Sequence, residues 1–137
     1  MVMRTLRRVV PLLLISAGTL CAADPAGRVL YQRYCASCHG AEGRGDGPVA
    51  SALGHKPTDL TQIAESNGGS FPLEAVLVAI DGTKTLRAHG VSEMPVWGDV
   101  FQANLASPLE QQLLAQGKVI TIAYYLRSLQ RSVRPSH

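Results

Sequence analysis

Two stretches of this chain are too long and too rich in turn formers to be ordinary connections between helices. Gly40 to Gly54 holds five glycines in 15 residues, and Gly82 to Gly98 shows no sustained helical or strand period. Connections in compact domains usually run to a few residues, and structureless loops beyond about 12–15 residues are uncommon. Something besides local backbone bonding must order them. Composition sharpens the point. Hydrophobic residues make up 46% of the 137, too many for a disordered chain, yet aromatics make up only 5%. A large apolar ligand held between the loops would order them and supply the missing core.

The rest reads as helices. Asp24-Pro25 is an N-cap followed by proline at the first helical position, with Val29, Leu30 and Tyr34 on an apolar face through about residue 37. Residues 57–69 are polar and turn-rich. Pro72 opens a second helix carrying Leu73, Val76, Leu77 and Ile80 at helical spacing, and Gly82 stops it. A short helix is expected around 99–105. Ser107-Pro108-Leu109-Glu110 is a capping box that starts the longest helix, about 108–130, with Leu109, Leu113, Ile120, Tyr124 and Leu126 among its apolar positions. Gly117 weakens that helix by about 1 kcal/mol relative to alanine and marks a candidate kink. There is no internal repeat and no run of alternating strands. The expectation is one all-α domain.

The first residues read as a leader. Arg4, Arg7 and Arg8 precede an apolar run, Val9 to Leu20, and Cys21-Ala22-Ala23 is a small-x-small cleavage pattern. The run is shorter than the roughly 20 apolar residues a membrane span needs. Residues 1–23 are therefore expected to be a secretory signal peptide and 24–137 the mature domain. Cys21 has a rival reading as a lipidated N-terminus. The flanking Gly18 and Leu20 are nearly the reverse of the usual lipoprotein order, so a periplasmic domain without an anchor is expected. Losing the leader leaves ten basic residues against ten acidic ones. No charge excess then points to nucleic acid. Only Cys35, Cys38 and one methionine, Met94, remain.

Cys35-Ala36-Ser37-Cys38-His39 is a C-x-x-C-H sequence, the attachment signal for c-type haem. Positions i, i+3 and i+4 share one face of a helical turn. Two thiols can add to the two vinyl groups of one haem while the adjacent imidazole reaches the iron. A redox dithiol expects a βαβ context that the chain lacks. A disulfide between these cysteines would close too small a loop to constrain much. A zinc site built from Cys35, Cys38, His55 and His89 would leave His39 without a role.

Other segments join this one in a recognisable pattern. Gly27 and Tyr31 stand eight and four residues before Cys35, and Tyr125-Leu126-Arg127 lies in the last helix. Gly40 to Pro48 is a glycine-rich loop directly after the motif, and Met94-Pro95-Val96-Trp97-Gly98 closes the second long loop. In these segments the chain resembles class I c-type cytochromes, specifically small bacterial periplasmic monohaem ones, over essentially the whole mature length. The resemblance implies a cytochrome c-like fold in which N- and C-terminal helices cross around one covalently attached haem c. It implies Cys35 and Cys38 as attachment sites, His39 and Met94 as axial ligands, and Trp97 beside the haem or bonded to a propionate. Gly27 would let the two helices approach closely. The Pro48 carbonyl is expected to accept from His39 Nδ1–H, which would raise the basicity of the ligand. His89, five residues before Met94, is a rival for the iron or a partner of the loop or a propionate. Lys56, Lys84 and Arg87 are candidates to counter the propionates or to form a docking rim, with plain solvated charge as the alternative.

A six-coordinate haem has no open position for substrate. The expected function is one-electron transfer, with donor and acceptor proteins docking transiently at the haem edge. Two alternatives stand beside it: a dedicated cytochrome subunit of a dehydrogenase or terminal oxidase, and a haem sensor or catalyst whose methionine is displaced.

Overall fold

The computed structural model describes residues 25–82, 94–102 and 107–131, and everything regular among them is helical. Helix α1 spans Pro25–Tyr34 and α2 Ala36–His39, with Cys35 in a turn between them. Cys35 N–H still donates to the Tyr31 carbonyl (2.8 Å) and His39 N–H to that of Cys35 (2.9 Å), so the C-x-x-C-H segment continues the α1 turn. Single 3₁₀ turns follow at Ala50–Ala52 and Leu60–Gln62. Then come α3 (Ile63–Ser66), α4 (Leu73–Asp81), α5 (Trp97–Val100) and α6 (Pro108–Ser128). Gly82, at φ +72°, ends α4 as expected. Ser107 accepts from Glu110 N–H at the start of α6. That helix runs unbroken through the candidate kink at Gly117.

Helix α6 is the axis of the fold, and α1, α4 and α5 all pack on it. The α1–α6 crossing is tight. A Cβ on Gly27 would lie 2.7 Å from Tyr125 Cβ and 2.8 Å from the Thr121 carbonyl oxygen. One turn on, the Tyr31 and Tyr125 rings meet with centroids 5.3 Å apart. Glycine is therefore required here by the approach of two backbones. Gly27→Ala is expected to push the helices apart and cost about 1–3 kcal/mol. Urea titration of the holoprotein checks this, and an unchanged midpoint would show that the crossing is not tight.

The expected apolar face of α6 is corrected. Leu109, Leu113, Ile120 and Tyr124 are exposed, while Ala115, Val119, Ile122, Ala123, Tyr125 and Leu126 are buried. Apolar residues occur almost all round this helix, so its periodicity does not select a side. The crossings of α1, α4 and α5 select it. Small residues such as Ala115 and Ala123 allow close contact there, and the larger leucines remain on the open flank.

Candidate functional site

The residues of the site are assembled by helix α2, the loop behind it and the start of α5. Cys35, Cys38 and His39 share one face and line a cavity of about 390 Å³. Met94, Pro95 and Trp97 line it from the second long loop and the start of α5. Tyr34 and the segment Leu53, His55, Lys56, Pro57 and Thr58 complete its described wall. Five of the six residues expected from sequence, Cys35, Cys38, His39, Met94 and Trp97, thus meet at one cavity.

Pro48 does not join them; it is exposed and absent from the described wall. His39 Nδ1–H donates instead to the carbonyl of Thr58, at 3.0 Å. The physical reason lies in how the loop closes. Gly45 N–H donates to the His39 carbonyl (2.8 Å) and Gly47 N–H to that of Cys38 (3.1 Å), so the chain around Pro48 folds back along α2 and not over the imidazole. Gly45, at φ +73°, passes so close to the Pro57 carbonyl that a Cβ would collide with it. That packing brings Thr58 to the ring. A backbone carbonyl only accepts, so the proton sits on Nδ1 and the Nε2 lone pair is available to a metal.

No motif marks Thr58, but a signal lies just beyond it. Asp59 caps the 3₁₀ turn by accepting from Thr61 N–H at 3.0 Å and from its hydroxyl at 2.6 Å. The bond from the Thr61 side chain is the main cause holding the Asp59 carboxyl below its ordinary pKa. The chain just past α6 then ties this turn down. Gln130 Nε2 donates to the Leu60 carbonyl (2.8 Å), and Gln130 Oε1 accepts from Ala64 N–H (2.8 Å). The segment that follows the C-terminal helix thereby holds the chain next to the one that orients His39.

The scarce aromatics are concentrated here. Trp97 stacks on Phe101 with centroids 5.3 Å apart, and Tyr34 meets Trp97 at 5.6 Å and Phe101 at 4.9 Å, both edge-on. Phe101 is only 1% exposed, so the cluster joins the cavity wall to the core. Trp97 is held by these rings beside the cavity.

The surroundings of the thiols are not those that favour an exchanging pair. Cys35 and Cys38 carry no disulfide. Burial, reinforced by the neighbouring Cys38, pushes the Cys35 thiol up to about 12. A redox-active dithiol needs the opposite shift. Among the described residues no group of three or more His, Cys, Asp or Glu is arranged for a metal, and His89 of the zinc alternative is not among them. His89, Lys84 and Arg87 lie outside the described residues.

An apolar wall, two thiols on one face, an imidazole with only Nε2 available and a thioether in the same cavity form a donor set that fits haem c. The described lining contains no carboxylate that would repel the two propionates. A family model described as cytochrome C oxidase, cbb3-type, subunit III, matches residues 22–106. No curated protein and no solved structure matches the chain.

Proposed function

From the premise that the chain belongs to this c-type cytochrome family, and so is a haem-based electron-transfer protein, we propose that it is an exported, periplasmic one-electron carrier with one haem per chain. Cys35 and Cys38 would hold the haem through thioethers, and His39 Nε2 and Met94 Sδ would be its axial ligands. The bound haem supplies one-electron exchange between ferrous and ferric iron. The protein's residues do the rest. Thr58 orients the His39 ring and makes it a better donor. Tyr34, Trp97 and Phe101 keep water from that side, and low-dielectric burial sets the potential. Redox partners would dock where the cavity opens. The carrying observation is the meeting of Cys35, Cys38, His39 and Met94 at one cavity with Nδ1 already engaged.

Potentiometric titration of the purified protein, with added carbon monoxide as a probe, tests the reading. A single reversible one-electron wave and no uptake of the gas by the reduced form are expected. Rapid gas binding would favour the sensor or catalyst alternative. The family's description favours a second reading, a dedicated subunit of an oxidase complex. Among the described residues no helix is long and apolar enough to cross a membrane. Co-purification in a fixed ratio with a membrane oxidase would support the second reading over a free carrier.

A further inference from the structure

Among the described residues, the segment Leu53–Thr58 is the part of the cavity wall that combines apolar groups with a lysine. Leu53 and Pro57 are half-buried, while His55 and Lys56 are exposed, and all four line the cavity. The segment is held at both ends. Leu53 N–H donates to the Ala50 carbonyl (3.3 Å), and Thr58 accepts from His39. Lys56 therefore sits two residues from a point fixed to the proposed ligand. Among the described residues it is the only lysine or arginine lining the cavity, and it has no carboxylate partner there. The nearby Asp59 is already engaged by Thr61, Gln62 and Arg131.

The proposed occupant is an apolar disc bearing two carboxylates. Cys35 and Cys38 would hold its vinyl groups, and its two carboxylates would need a partner elsewhere on the wall. An anion entering a largely apolar cavity requires a cation or hydrogen-bond donors. Resting on the electron-carrier reading, we propose that Lys56, with the His55 ring beside it, is the contact for the haem carboxylates and raises the reduction potential of the bound iron. The sign follows from charge. Ferric haem carries one more positive charge than ferrous haem, so a nearby ammonium opposes oxidation. Neutralising it favours the ferric form, and reversing it favours that form further.

The test uses the full haem-loaded protein and the variants Lys56→Arg, Lys56→Gln and Lys56→Glu. Covalent haem is first confirmed on the denatured chain, and midpoint potentials are then measured at low ionic strength without any partner protein. The expected order is wild type close to Lys56→Arg, then Lys56→Gln lower, then Lys56→Glu lowest, with the spread shrinking as salt is added. A purely structural role would not order the potentials by charge. Four equal potentials in haem-loaded proteins overturn the proposal. Equal potentials together with weaker salt dependence of electron exchange with an acidic protein also overturn it, and assign Lys56 to a docking rim. A wild-type chain without covalent haem sinks the electron-carrier reading itself, and this proposal with it.

Discussion

Replacing both Cys35 and Cys38 with alanine is expected to abolish covalent haem and leave little stable holoprotein. The two thiols, set one helical turn apart on the cavity wall, are the only cysteines among the described residues. Without them the haem is held only through axial ligation and packing. The loops around the cavity depend on that occupant, because a ligand that binds only the folded chain stabilises it in proportion to how tightly it is held. Acid–acetone treatment of the wild type should leave haem on the polypeptide, and the double variant should yield none. Haem that extracts completely from the wild type would show that the motif does not attach it. Each single variant should keep one thioether and an intermediate holoprotein yield.

Replacing Met94 with alanine is expected to remove the charge-transfer band of a ferric iron–thioether bond and to open the iron to external ligands. Methionine is a neutral, soft ligand that favours ferrous iron, so the midpoint potential should fall. Axial ligation spans about 0.8 V across haem proteins, and a drop on the order of 0.1 V is expected here. Met94 is half-buried at the same cavity as His39, and the neighbouring Trp97 is fixed by Tyr34 and Phe101. The thioether therefore lies on a short lead from a rigid wall. His89→Ala should retain the band and shift the potential only slightly. If His89→Ala destroys six-coordination while Met94→Ala leaves the spectrum unchanged, the ligand assignment is wrong. The argument for a high potential would fall with it.

The residues proposed for attachment and ligation were legible because the chemistry proposed for them depends on short spacing. A helical turn brings positions i, i+3 and i+4 together whatever surrounds it, so Cys35, Cys38 and His39 share a face by local geometry alone. Met94 was expected from the resemblance, with two supports: it is the one methionine beyond the expected leader, and Pro95-x-Trp97-Gly98 follows it. The Pro48 expectation failed for the complementary reason. Which carbonyl reaches Nδ1 is settled by where a glycine-rich loop turns back, and Pro48 and Thr58 are equally able to accept. Lys56 stood beside Lys84 and Arg87 as one candidate for countering the propionates, forming a docking rim or simply carrying solvated charge, because nothing local distinguishes a solvated lysine from one beside a cavity.

The sequence by itself determined the helical class, the places where α4 stops and α6 starts, the Gly27 crossing and the face that presents two thiols and an imidazole. Each follows from interactions within a few residues or from one glycine without a Cβ. Only the tertiary structure decided which side of α6 is buried. That helix is apolar almost all round, and its partners' crossing points, not its own period, exclude water. Only the tertiary structure likewise decided that Thr58 orients His39. That bond spans 19 residues and depends on Gln130, at the far end of the chain, holding the 60–64 turn in place.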